Sequence, residues 1–274
     1  MRLYVHHLTE YRFSEPQARL VQLLRLTPES FIGQNVVDWR IDVDCNARLR
    51  SGRDGYGNET TMLYVDGPID RISITVNGSV LTENKAGMVQ GATETLPPLL
   101  YMQSTRLTTA DEAIIDFARG IEAEGNDALD RMHLLMGALH ERLTFDPGRR
   151  DATRTAIETF SESHGVCQDF AHVFVAAARA IGIPARYVSG HFYRDDGAAL
   201  QEAAHAWAEA HIPDYGWIAF DASHDHCPDD RYIRVAIGLD YRDAAPLSGS
   251  RIGGGVEELD VGVRVGLSQS QTQG

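Results

Sequence analysis

Gly165-Val166-Cys167-Gln168-Asp169-Phe170-Ala171-His172-Val173-Phe174, continued by Val175-Ala176-Ala177-Ala178, is the stretch whose reading decides the fold. Phe170, Val173, Phe174, Ala177 and Ala178 recur at helical spacing, which predicts a helix opening near Gly165-Val166-Cys167 and running to Ile181-Gly182. Ile183-Pro184 ends it, because proline lacks the N–H that a further turn would need. Ala185 to Tyr193, Ala204 to Ile212 and Trp217 to Asp221 then alternate as strands, with Pro213-Asp214-Tyr215-Gly216 turning between the last two. A helix feeding an antiparallel sheet, with helices packed on that sheet, places the chain in the α+β class.

Working outward, two more helices precede this core. Thr109-Ala110-Asp111-Glu112 resembles a capping box and opens a helix through Ile114, Ile115 and Ala118, ending near Gly120. A second helix follows Asn126, with Leu129, Met132, Leu135, Met136, Leu139 and Leu143 on one apolar face; His133 and His140 flank that stripe and read as packed or surface residues. From Arg2 to about Leu81 the period is two instead, as in Val36 to Val43 and Ile72 to Val76, which predicts a β-sandwich-like domain over residues 1–95. Within it, Asp54-Gly55-Tyr56-Gly57-Asn58 supplies the residues a tight hairpin requires. Residues 96–108, with Pro97-Pro98, read as the linker to a domain spanning 109–250. After Gly253-Gly254-Gly255, Leu259 to Val265 alternates strictly; a strand so isolated needs a sheet to join, so 251–274 is expected to pair back with the N-terminal domain and to end in a polar tail from Ser268.

Composition narrows the partners. Lysine plus arginine number 25 against 39 aspartates and glutamates, a formal charge of -14, which repels nucleic acid over most of the surface. The first residues lack the pattern of a secretory signal, and no apolar run is long enough to span a membrane. Three widely spaced cysteines, Cys45, Cys167 and Cys227, do not form a disulfide framework, so a reducing, cytoplasmic setting is expected.

Cys167 sits where a helix start leaves N–H groups without partners, a place that favours a thiolate. Asp169 opposes that charge unless its carboxylate points away or binds the helix N-terminus itself. His205 lies in a strand between two alanines that leave room beside its ring, and shares its face with Trp207 and Glu209. Asp221 closes the following strand after a tight turn, which brings it near His205, where a carboxylate fixes the imidazole tautomer facing a thiol. Taken singly, each residue has a plainer reading: a buried cysteine, a packed histidine, a turn-forming aspartate. Their order and spacing favour chemistry. Cys45 and Cys227 open no helix and are not nucleophile candidates.

Four ordered blocks carry a resemblance: Gly165 to His172, Ala180 to Gly190, Ala204 to Glu209 and Gly216 to Asp221. Together they resemble the core of the transglutaminase-like superfamily. Leu24-Arg25-Leu26-Thr27-Pro28 and Asp54 to Asn58 are similar to the region preceding that core in its bacterial members described as cysteine proteases, and Ile233 to Ala236 and Asp240 to Asp243 to their C-terminal pattern. The resemblance implies a papain-like arrangement: Cys167 as nucleophile, His205 as base and then acid, Asp221 as its orienter, acting on a peptide, protein or small amide through a thioester. Hydrolysis is favoured over transfer to an amine, since it requires one organic substrate. This chain departs from the pattern in carrying Asp221-Ala222 where many relatives carry Asp-Pro. No tryptophan lies between Trp39 and Trp207 to donate to an oxyanion, which leaves the Cys167 N–H. Two competing readings are a zinc site built from His224, Asp225, His226 and Cys227, perhaps with Asp221, and a binding module without activity. No phosphate-binding or calcium loop is present in the sequence, so no cofactor and no metal is expected.

Overall fold

The computed structural model describes residues 1–148, 151–195, 200–201 and 203–267. Its strands, in chain order, are β1 (Arg2–Leu24), β2 (Gln34–Val43), β3 (Arg48–Arg53), β4 (Glu59–Thr82), β5 (Met88–Val89), β6 (Thr144–Phe145), β7 (His164–Gly165), β8 (Ala185–Phe192), β9 (Leu200–Gln201), β10 (His205–Ile212), β11 (Gly216–Phe220), β12 (Tyr232–Gly238), β13 (Leu247–Ile252) and β14 (Glu257–Leu267). The helices are α1 (Glu112–Glu124), α2 (Ala128–Arg142), α3 (Ala156–Glu162), α4 (Cys167–Ala180) and α5 (Tyr241–Ala244). The fold is α+β. None of these helices is long and apolar enough to cross a membrane.

The N-terminal layers grow from two long strands. In β1 the buried side chains fall on odd numbers, Leu3, Val5, Tyr11 and Phe13, and then on even ones, Leu20, Gln22 and Leu24. The switch coincides with breaks in the β1–β4 register between Arg12 and Arg19, where one irregular step reverses which face points inward. β4 reverses in step, from Leu63 and Val65 to Ile72, Ile74 and Val76, so both halves of the pair close on one core. The sandwich-like character thus comes from one sheet, ordered β2-β4-β1-β14-β9, with β3 added to β4 and β13 added to β1. β3 and β4 meet at the Asp54–Asn58 turn, where Asp54 Oδ1 accepts from the N–H groups of Tyr56 and Asn58 and Gly57 takes φ +88°.

The second sheet, β12-β8-β10-β11-β5, carries α4 against β8 and β10. α4 is buried nearly all round because α1, α2 and α3 cover its outer side. Two side-chain amides stitch the sheets together by imitating strand pairing with β12. Gln34 donates to the Arg234 carbonyl and accepts from its N–H, both at 2.8 Å, and Asn58 treats Ile237 in the same way at 2.8 Å.

Several sequence expectations need correction. The domain limits at residues 95 and 250 cut across the sheets: Met88–Val89 pairs with β11, while Leu247–Ile252 pairs with β1. Runs this short have no periodicity of their own, and tertiary pairing decides them. α1 is capped by Asp111, whose carboxylate accepts from the Ile114 N–H, and continues through Gly120 to Glu124. Nothing fills the space beside the Gly120 Cα, so the residue is tolerated without marking an end. The linker is bound rather than loose, since buried Arg179 donates to the Tyr101 carbonyl at 2.6 Å and to the Thr108 hydroxyl at 2.8 Å. β14 runs antiparallel along β1, from Leu3 opposite Leu267 to Phe13 opposite Glu257. The polar tail from Ser268 lies outside the described residues.

Candidate active site

Cys167 is the first residue of α4, after Val166 in extended conformation. Its N–H belongs to the first turn and has no intrahelical acceptor. Asp169, two residues on, turns back and accepts from the Val166 N–H at 2.8 Å. That carboxylate caps the helix, yet its Oδ1 is buried without a partner and the residue is 0% exposed. Burial therefore dominates over the Val166 N–H and the Arg154 charge, and pushes the Asp169 carboxyl up to about 6.

His205 opens β10, and Asp221 directly follows β11. β10 and β11 pair with Ala208 opposite Phe220; one further step sets Asp221 across from Trp207, diagonal to His205 on the same face. The result is a hydrogen bond of 2.6 Å between His205 Nε2 and Asp221 Oδ2. Nε2 being engaged, Nδ1 is the ring nitrogen that remains free to serve Cys167, which lines the same cleft. Burial alone would lower the His205 pKa; the Asp221 carboxylate and then the Cys167 thiolate outweigh it and raise it to about 10. Asp221 is itself held well below the usual carboxylate range: burial opposes its charge, and the two neighbouring imidazoles overcome that.

The sequence reading missed the collar around Asp221. Oδ2 accepts from the Tyr232 hydroxyl at 2.9 Å and contacts His224 Nδ1 at 2.9 Å, while Oδ1 accepts from the Ser223 N–H and hydroxyl at 3.0 and 2.6 Å. With His205 added, five donors converge on one carboxylate, fixing it and the imidazole it holds. Only the aspartate followed shortly by Ser223 and His224 hinted at this in the sequence; Tyr232 arrives from another strand.

The set His224, Asp225, His226 and Cys227 does not assemble. Among the described residues, the group of three potential metal ligands is His205, Asp221 and His224, with donor atoms within 4.8 Å of one another. His226 turns to the Tyr232 hydroxyl at 3.0 Å and to Arg231 at 3.3 Å, because the segment bends back at Asp225, φ +52°, instead of extending. Cys227 packs on the apolar core and Cys45 is exposed away from the cleft.

Cys167 and His205 line a cleft of about 1060 Å³ between the two sheets. Gln168, Ser223 and His224 line it on one side, with His7, Tyr11, Leu259 and Val261 of the N-terminal sheet on the other. The Nε2 of Gln168 is buried and has no hydrogen-bond partner. It is a second feature the sequence did not reveal.

Residues 115–222 match the model of the transglutaminase-like superfamily, and residues 3–81 match that of the bacterial transglutaminase-like N-terminal region. Residues 115–222 are therefore a transglutaminase-like core. The matched N-terminal region supplies β1 to β4 of the first sheet. An uncharacterized protein of Mycobacterium leprae, ML0607, is 29% identical, the match covering 96% of this chain and 98% of that protein. A protein-glutamine gamma-glutamyltransferase of Pseudomonas aeruginosa is 29% identical over 50% of this chain and 23% of its own length. The fold is shared with a crystal structure from Cytophaga hutchinsonii, a protein proposed to be a cysteine protease, at TM-score 0.79 and 19% identity, covering 99% of this chain and 92% of that one.

Proposed function

We propose that this protein cleaves peptide or glutamine-type amides through a thioester on Cys167, with water as the usual acceptor. The observation that carries the reading is the short bond from Asp221 to His205 Nε2, which leaves Nδ1 unengaged in the cleft that Cys167, the first residue of a helix, also lines. A raised imidazole pKa beside a thiol favours the thiolate–imidazolium pair near neutral pH.

In the first step the Cys167 sulfur attacks the amide carbon and the carbonyl oxygen takes the negative charge. The Cys167 N–H donates to that oxyanion. The Gln168 amide is the second donor in this reading, because the residue lines the cleft and its Nε2 has no hydrogen bond to give up. His205 then gives its proton to the departing amine, the C–N bond breaks and the thioester remains. In the second step neutral His205 takes a proton from water as it attacks, and the acid leaves with Cys167 again a thiolate. Asp221 keeps the ring oriented throughout and offsets its charge.

The pH dependence of Cys167 alkylation by iodoacetamide, followed by peptide mass spectrometry in the native protein and in His205→Ala, tests the pair. Rapid alkylation persisting well below the ordinary thiol pKa of about 8.5, and lost in the variant, is expected. Slow alkylation with ordinary titration in both proteins overturns the proposal. Transfer to an amine is a second reading, favoured by the similarity to the Pseudomonas aeruginosa gamma-glutamyltransferase. Comparing ammonia release from a glutamine peptide with incorporation of a labelled primary amine separates the two.

A further inference from the structure

An amide within a polypeptide needs a surface that holds the chain beside it. Strand β14 is paired with β1 from Glu257 to Leu267, but its other edge is paired only at Val263 and Arg264, with β9. Among the described residues, the edge over 257–262 has no partner strand. Alternation sends the odd-numbered side chains of β14 to one face. On that face Val263 and Val265 pack against Ile233 and Val235 of the second sheet. Further along the same face, Leu259 and Val261 line the cleft that holds Cys167 and His205.

β9 demonstrates that this edge accepts an added strand. Continued antiparallel, its register would run from Val263 toward Glu257. Among the described residues no pairing continues past Gln201 opposite Val263, and Ala203, Ala204 and His205 line the cleft. The local charge is no obstacle to a neutral chain: Glu257 and Asp260 are paired with Arg251 and Arg12, and exposed Glu258 alternates to the face opposite Leu259 and Val261. A free edge of this kind invites unspecific pairing unless it is used or guarded.

We propose that residues 257–262 of β14 are the docking strand for an extended segment of a protein substrate, which adds antiparallel to the free edge and lays apolar side chains against Leu259 and Val261. The inference rests on Cys167 being the acylated nucleophile, and it assigns substrate recognition to the N-terminal sheet. Backbone hydrogen bonds supply affinity in such strand addition, while alternate side chains supply selectivity.

The test uses the full chain and a tripeptide chloromethyl ketone, benzyloxycarbonyl-valyl-leucyl-glutaminyl, which alkylates a thiolate by forming a C–S bond with loss of chloride. A second probe differs only in N-methylation of the leucyl nitrogen, and iodoacetamide serves as the probe without a chain. The N-methylated probe is expected to react with Cys167 about tenfold more slowly, as loss of one backbone hydrogen bond dictates. Leu259→Ser is expected to slow the tripeptide by a similar factor and leave iodoacetamide unaffected. In the adduct, the amides of 257–262 are expected to exchange with solvent more slowly. Equal rates for the two tripeptides, or unchanged exchange over 257–262 in the adduct, overturn the docking strand. Protection of those amides in the free protein, accompanied by a dimer in sedimentation, overturns it in favour of a second copy on the edge. Ordinary thiol behaviour toward iodoacetamide would instead overturn the reading of Cys167.

Discussion

Replacing Asp169 by asparagine sets two effects against each other at the start of α4. The helix N-terminus and the Val166 N–H favour a charged carboxylate; complete burial and the unpartnered Oδ1 disfavour it. Burial prevails, and the carboxyl stands at about 6 against an ordinary 3.8. In acid, below that ordinary value, both folded and unfolded chains hold the proton and the group contributes nothing to pH dependence. As pH rises from there to 6 the unfolded chain loses its proton first, so folding stability falls, then levels off once both states are ionised. A displacement of about two pH units corresponds to at most about 3 kcal/mol at pH 7. Asparagine still accepts from the Val166 N–H and never ionises. Urea unfolding of both proteins across this range is the assay, because every other titrating group cancels in the difference. The difference is expected to move toward asparagine by up to about 3 kcal/mol between pH 4 and 6, roughly 1 M in urea midpoint. A flat difference, or one that moves toward aspartate, would refute the claim that burial outweighs the helix terminus.

Asp221→Asn removes the larger of the two charges that raise the His205 pKa against burial, so Cys167 alkylation at pH 6 should slow at least about tenfold. Gln168→Ala should slow acylation by a chromogenic ester by about 10²-fold, the usual effect of losing an oxyanion donor, without changing iodoacetamide alkylation, which forms no oxyanion. Arg186→Met should cost about 3–5 kcal/mol in denaturant unfolding, because Glu94 loses its cation and Glu209 keeps only Arg234 in a buried site. Tyr232→Phe should lower stability by about 1 kcal/mol and leave Asp221 ionised on its remaining donors.

What the sequence made legible was whatever has a local cause. A helix start announces itself through Gly165-Val166-Cys167, and the turn at Pro213 to Gly216 fixes how far Asp221 lies from His205. α3 had a local signal too, Thr155-Ala156-Ile157-Glu158, a complete capping box that its shortness concealed. Other features have no local cause. Arg186 alternates like any strand residue, and only the folded chain shows that Glu94 and Glu209 meet it inside with Trp217 stacked 3.7 Å from its guanidinium. The same holds for Tyr232 at Asp221, and for the buried parity of β1, which reverses at an irregularity where Ser14-Glu15-Pro16 reads as a break.

Strand β1 is where the order of synthesis meets the order of the fold. Its partners are β4, which leaves the ribosome soon after it, and β13 and β14, which follow only after the whole helical core. For most of translation the inner half of the first sheet has one neighbour and an open flank. Contacts such as Leu3 with Leu267 join residues far apart in the sequence, and closing such loops is slow. The cleft wall that Leu259 and Val261 provide is therefore among the last surfaces to form, and the growing chain carries its thiol for some time before the cleft around it is complete.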